Sequence, residues 1–474
     1  MNRQFSLNIA LLLGINGLIK PLYLFGIDRT IQNILPEGDY GLYFTFFNLS
    51  FILSIINDPG IQNFNTTFIA GKKHLLQKTF TSAVQVRTLS GILFLFSILL
   101  AGFFLGYHFN DLLLLFLVAF NHCLASLSLF FRSNLSAIGY FSLDSILSGL
   151  DKFLMILLLG LFLLNPQLQS HLNIYWFVAL QGCAFLTTLL VALFILIKKT
   201  SPLGWPNWKI SYSLLRKSFP YALVVFLMLA YTRIDAIMIE RMLPLGKIEA
   251  GYYAAGYRLL DAANAIGFLF ASLLLPMFAQ IHNQKKPLTP LIGFSLNHII
   301  ALSGWVSMIL ITYRGPIIQL LYPSIHPSVP IILMYLMFTF ICLAIGYIFG
   351  TLLTATGNIH KMNGLFALAA LINISLNLLW IPSEKSIGAA KATLLTQIFV
   401  CLALIFTANH LLKLKLSLKY WIKPILYLGF LILIGFSLHL LKISIVIGFL
   451  SSSLLALGIS LIIGLIHPLK WFKN

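Results

Sequence analysis

Among the charged side chains that stand in otherwise strongly apolar stretches of this sequence are Lys20, Asp58, Asp151, Arg233, Asp235, Arg258, Asp261 and Lys391. Inside a membrane helix each charge costs roughly 2.5–3.5 kcal/mol on insertion scales, so such groups face a partner or a water-filled cavity. The four cations suit an anionic ligand, and arginine in particular can grip phosphate at two points. The four acids suit a coupling ion, a proton or sodium. Asp58 heads Asp58-Pro59-Gly60, where proline and glycine break a helix and free backbone carbonyls beside the carboxylate.

Each residue also has a plainer role open to it. Arg258 and Asp261 are three apart and share a helix face. Either Arg258 holds an anion, or Arg233 and Arg258 pair with Asp235 and Asp261 as glue between helices. Lys20 has no acid in its own span, which points to binding. Lys391 lies near a span end, where it can bind or snorkel to the interface. Asp58 can cap the turn that follows it instead of taking an ion. Asp151 and Lys152 are adjacent and project about 100° apart on a helix, so one is free to face a cavity and the other a neighbour. Asn121-His122 and Asn297-His298 fit hydrogen bonds between helices. Tyr43, Tyr253, Tyr257, Asn373 and Asn377 fit either a sugar-lined wall or helix interfaces.

The elements that position these residues are membrane spans. Of the 474 residues 59% are hydrophobic and 9% charged, a composition no wet surface tolerates. Apolar runs predict an all-α polytopic protein with fourteen spans, near 5–27, 39–69, 79–107, 111–138, 143–164, 173–198, 214–242, 248–281, 289–314, 327–355, 360–381, 386–410, 418–441 and 443–467. The first run is too long for a signal peptide and carries Lys20, so it is expected to be a retained helix. Cys123, Cys183, Cys342 and Cys401 all lie in apolar runs with no C-x-x-C pair, which argues against a disulfide framework or zinc site.

The net charge of +19 is a topology signal. Of the 31 lysines and arginines, twenty fall on one side of the predicted spans, Arg87 and Arg132 among them, and six on the other. That split places both termini in the cytoplasm. No soluble basic face exists for nucleic acid. No G-x-x-x-x-G-K-[ST] loop and no hydrolytic or metal signature occurs, so neither an ATP motor nor an enzyme is expected.

The chain also repeats itself. Ile27-Asp28, Leu35-Pro36, Gly38 and Gly41-x-Tyr43 recur as Ile234-Asp235, Leu243-Pro244, Gly246 and Gly251-x-Tyr253, and Ser136-Ala-Ile-Gly139 is echoed by Thr354-Ala-Thr-Gly357. Both repeats map a span onto the sixth span after it, so the halves share one orientation and a pseudo-two-fold axis along the membrane normal. The expected divisions are an N-terminal lobe at 1–200, a C-terminal lobe at 201–412 and two appended helices at 413–474. Lys20, Arg233 and Arg258 fall at similar predicted depth, with Lys391 nearer the outer end of its span.

Several motifs together resemble bacterial polysaccharide flippases. Arg233-Ile-Asp235, Gly251-Tyr-Tyr-Ala-Ala-Gly-Tyr-Arg-Leu259 and Leu275-Pro276 look like their seventh and eighth spans. Asp39-Tyr-Gly-Leu-Tyr43 with Asp58-Pro-Gly60 looks like the second, and Gly357-Asn358, Asn373-x-x-x-Asn377, Pro382 and Gly388-Ala-Ala390 like the eleventh and twelfth. Lys391 departs from the pattern, which usually has an apolar residue there. The superfamily is that of multidrug, oligosaccharidyl-lipid and polysaccharide exporters. The resemblance implies two six-helix lobes that alternate between inward- and outward-open states in the bacterial inner membrane. It implies an undecaprenyl-pyrophosphate-linked oligosaccharide as cargo, as for O-antigen, lipopolysaccharide or capsule. Lys20, Arg233, Arg258 and Lys391 would then form the anion site, and Asp58, Asp151, Asp235 and Asp261 would be coupling candidates for Na+ or H+. No cofactor is expected. Expected partners are the lipid-linked cargo, membrane lipids, and a glycan polymerase with other assembly proteins, the chain itself being a monomer. The rival expectations are a lipid II flippase, a cation-coupled drug exporter, which calls for an acid-dominated cavity, and a membrane scaffold.

Overall fold

The structure, a computed structural model, describes residues 14, 17–62, 73–200, 205–414, 416 and 419–465. Arg3, Lys72, Lys415, Lys470 and Lys473 of the basic set, with the beginning of the first predicted span and the ends of the second and the last, lie outside the described residues. Among the described residues the secondary structure is helical, and 11 helices are long and apolar enough to cross a membrane. Helix is the expected solution, because a lone segment in hydrocarbon must satisfy its own backbone.

The long helix Ile359–Leu412 accounts for two predicted spans. Its 54 residues would reach about 80 Å if straight, far beyond a hydrocarbon core of about 30 Å. Lys385 breaks it, with φ 55° and ψ −134°, between the predicted ends at 381 and 386. The second predicted span is interrupted as Asp58-Pro59-Gly60 suggested. Helix Asp39–Ile52 gives way to the single turn Ser54–Asn57, and Gly60 adopts φ +81°. The first span carries a π-helical turn at Leu22–Asp28.

Contacts divide the chain into two compact units, Met1–Gly251 and Tyr252–Asn474. In the first unit, helix Phe109–Ala137 packs on Ile174–Thr200 and on Lys73–Phe104, while helix Trp208–Met242 packs on Asp39–Ile52. Its apolar core includes Phe80, Phe130, Phe131, Leu147 and Leu196. Two glycines that the repeat equates, Gly41 and Gly251, meet here. A Cβ on Gly41 would fall 2.6 Å from the Gly251 nitrogen and collide with the Lys247 carbonyl. Gly41 is therefore needed for the backbone approach, whereas a Cβ on Gly251 would make ordinary contact with Gly41 at 3.8 Å.

In the second unit, helix Val329–Ala355 packs on Ile359–Leu412 and on Thr289–Thr312. The appended helix Lys419–Leu440 is docked on Thr289–Thr312, where the buried Tyr427 hydroxyl donates to the Ala301 carbonyl at 3.1 Å. Small residues at such contacts replace the hydrophobic drive that lipid does not supply.

Candidate functional site

Three groups of paired charges stand in the first unit. One lies at the break after helix Asp39–Ile52. Asp58 accepts from the Ile61 nitrogen at 2.8 Å, capping the next turn, and pairs with the Arg87 guanidinium at 2.9 Å. Arg87 is fully buried and also donates to the Asn57 carbonyl at 3.0 Å and the Ser126 hydroxyl at 2.6 Å. This corrects the placement of Arg87 among the basic groups on the cytoplasmic face. It stands inside helix Lys73–Phe104 because a carboxylate waits there for it. Asp58 thus has both a cap and a counter-ion.

A second group joins the first helix to helix Phe141–Leu164. The Lys152 ammonium lies 3.3 Å from Asp151, 4.8 Å from the centre of the Tyr23 ring and 5.1 Å from that of Phe185. Neighbouring positions on a helix project apart, yet the long lysine stem folds back and brings the two charges together. Lys20 is exposed. The charges acting on it most strongly are those of Asp151, Lys152 and Arg132. Arg132 is itself paired with Asp144 at 3.0 Å.

The third group ties helix Trp208–Met242 to the connection between Lys73–Phe104 and Phe109–Ala137. Arg241 grips Glu240 through Nε at 2.5 Å and Nη2 at 2.8 Å, donates to the Leu105 carbonyl at 2.8 Å, and lies 3.7 Å over the Tyr107 ring. Tyr107, in the connection itself, donates to Glu240 at 2.7 Å. Burial, reinforced by the Glu240 charge, holds its phenol well above the usual range, so it remains a donor. Lys247 and Asp111 pair nearby at 3.2 Å.

Arg233 and Asp235 lie on the same Trp208–Met242 helix. Arg233 donates to the Asn48 side chain at 3.3 Å and sits 5.5 Å from the Phe51 ring centre. Asp235 is buried and partnered. In the second unit, Arg258 and Asp261 are half-buried on helix Gly246–Asn283, and both are partnered. Lys391 forms an ion pair with Glu384 and lies 5.7 Å from the Tyr335 ring centre. That pair was legible only as two charges seven positions apart, with a helix break between.

Several of the uncharged candidates make hydrogen bonds within their own units. The Tyr43 hydroxyl meets Gln181 at 3.2 Å, Tyr253 meets Thr393 at 3.2 Å, and Asn377 donates to Asn373 at 3.0 Å. Tyr43, Tyr253, Tyr257, Asn373 and Asn377 are all buried. Asn121 donates to the Val178 carbonyl at 2.7 Å, bridging two helices, while His298 bonds Phe294 on its own helix. Among the described residues no group of histidine, cysteine, aspartate or glutamate could hold a metal ion.

Membrane-length helices interrupted at polar positions, with charges stationed on several of them, mark a multi-pass membrane protein. A model of the polysaccharide biosynthesis protein family matches residues 8–282, and the chain belongs to that family. Among solved structures, the lipid II flippase MurJ in an inward closed conformation is similar with a TM-score of 0.72 and 16% identity, covering 96% of this chain and 98% of that one. The Vibrio cholerae MATE transporter VcmN matches with a TM-score of 0.60 and 14% identity over 86% of this chain and 96% of its own. A MOP superfamily transporter from Pyrococcus furiosus matches with a TM-score of 0.57 and 13% identity, over 86% and 95%. No curated protein matches the sequence. The fold is like those of these three transporters.

Proposed function

We propose that this protein moves an undecaprenyl-pyrophosphate-linked oligosaccharide from the cytoplasmic to the outer leaflet of the bacterial inner membrane. The observation that carries the reading is the joint one: a polysaccharide biosynthesis family match, and a flippase fold that extends over 96% of the chain. The physical problem suits such a protein. Each unsatisfied sugar hydroxyl costs several kcal/mol in hydrocarbon. A wet path between two lobes removes that barrier while the lipid tail stays in the bilayer. In this reading the lobes are 1–200 and 201–412, with 413–474 appended and both termini cytoplasmic. Lys20, Arg233 and Arg258 attract the pyrophosphate, and Lys391 shares its charge with Glu384.

The acids argue against a drug exporter driven through Asp58. Its carboxylate is already committed to Arg87 and to the following turn. Asp235 and Asp261 remain the proposed coupling residues, for sodium or proton. Lipid II is the second reading, favoured by the likeness to MurJ.

Supplying this chain to cells that lack their own O-antigen or capsule flippase tests the assignment. Restored surface glycan is expected. Absence of surface glycan with folded protein in the membrane, together with rescue of cells depleted of their lipid II flippase, would replace the first reading with the second.

A further inference from the structure

The seat of Lys152 is more elaborate than neutralising Asp151 requires. Its ammonium rests against two aromatic rings, Tyr23 and Phe185, at 4.8 and 5.1 Å. The Tyr23 ring is itself fixed, because Gln181 donates to its hydroxyl at 3.0 Å and to that of Tyr43 at 3.1 Å. Ring faces hold a cation without satisfying its hydrogen-bond donors. Besides Asp151, the only acceptor the Lys152 nitrogen reaches among the described residues is the Met155 sulfur, a weak one, at 3.8 Å, and the side chain keeps 24% of its surface exposed, so a donor remains for an incoming group.

Lys20 is placed to act with it. It lies three positions before Tyr23, about one helical turn away on the same face. Asp151 and Lys152 are the leading charges acting on it. The cluster therefore contains Lys20, Lys152 and Asp151, two positive charges against one negative, while the adjacent Arg132 is balanced by Asp144. Ammonium groups that act on one another repel, and an anion between them relieves that repulsion.

We propose that Lys20 and Lys152 form a two-point clamp for the diphosphate of the cargo, with Asp151 as the group that keeps Lys152 in position while the clamp is empty. The proposal rests on the flippase reading and adds to it Lys152, a contact on the Phe141–Leu164 helix, and a role for Asp151 other than ion coupling. The diphosphate, with two negative charges, offers one phosphate to each lysine. Lys152 then exchanges its carboxylate partner for phosphate, and Asp151 recovers it on release.

The test is equilibrium binding of farnesyl pyrophosphate to the full-length protein in nanodiscs. The wild type is compared with Lys20→Gln, Lys152→Gln, Lys152→Arg, Asp151→Asn and Arg258→Gln, each checked for an unchanged melting temperature. Losing a charged hydrogen bond to phosphate weakens binding about ten-fold or more. Both glutamine variants on the clamp should show that loss and a shallower dependence on salt, and Lys152→Arg should recover most of the affinity. Asp151→Asn should bind the probe more tightly, since the internal competitor is gone. Wild-type affinity and salt dependence in Lys152→Gln, alongside weakened Lys20→Gln, would overturn the clamp and leave the flippase reading standing. Should Lys152→Gln lower the melting temperature, Lys152→Arg and Asp151→Asn decide the matter: wild-type affinity in Asp151→Asn with no recovery in Lys152→Arg overturns the clamp. Absence of saturable binding by the wild type would overturn the clamp, and failed glycan export in cells would separately remove the reading on which it rests.

Discussion

Two lysine- or arginine-to-aspartate pairs in the first unit have similar lengths and opposite characters. Arg87 and Asp58 meet at 2.9 Å, and Lys152 and Asp151 at 3.3 Å. Arg87 has no exposed surface and divides its donors among Asp58, Asn57 and Ser126. Lys152 keeps a quarter of its side-chain surface open and leans on ring faces that accept no proton. The difference teaches that burial and the number of protein partners, not pair distance, separate a structural ion pair from one able to change partners.

The comparison breaks most readily at Arg87. Arg87→Met leaves the Asp58 carboxylate without its counter-ion, and breaking a buried pair in this way costs about 3–5 kcal/mol. Thermal unfolding in detergent should show it as a large drop in melting temperature. Lys152→Met, at the half-open pair, should cost less than Arg87→Met in the same measurement. Equal losses in the two variants would erase the distinction.

Smaller effects sharpen the same contrast. Gly41→Ala places a methyl group against the Lys247 carbonyl and the Gly251 nitrogen. Overpacking of this kind costs about 1–3 kcal/mol, and the melting temperature should fall, because backbone cannot move aside as a side chain could. Tyr107→Phe removes only the hydrogen bond to Glu240, which Arg241 continues to neutralise, so a loss of about 1 kcal/mol is expected. Lys247→Gln should have the least effect. Its side chain is 45% exposed, and exposed pairs contribute about 0–1 kcal/mol.

Much of this architecture is readable from composition and order. The helix at 141–164 was expected at 143–164, and the one at 289–312 at 289–314, because a hydrocarbon slab imposes length and apolarity together. The break at Asp58-Pro59-Gly60 and the one near Lys385 were also signalled, by proline and glycine in the first case and by length in the second. The repeat anticipated a symmetric relation between Gly41 and Gly251, though not that the two would touch.

What escaped the sequence was partnership. Arg87 is separated from Asp58 by 29 positions, and one-dimensional charge counting places it with the basic groups of the cytoplasmic side. Glu384 lies across a helix break from Lys391, so spacing on a single helix could not pair them. Lys152 looked like a residue pointing away from Asp151, because rotation per residue describes where a side chain leaves the helix and not where a flexible stem ends. The repeat and packing boundaries also differ. Helix Trp208–Met242 opens the second repeat, yet packs with the first unit through Asp39–Ile52.

The central claim is transport of a pyrophosphate-linked glycan, and transfer in purified proteoliposomes tests it most directly. Lipid-linked oligosaccharide is loaded into one leaflet, and its arrival in the other is followed with an impermeant glycan-modifying enzyme. The account predicts time-dependent transfer by the wild type, abolished in a folded Lys20→Gln/Arg258→Gln double variant. No transfer by folded wild-type protein would contradict the function, and undiminished transfer by the double variant would contradict the anion site.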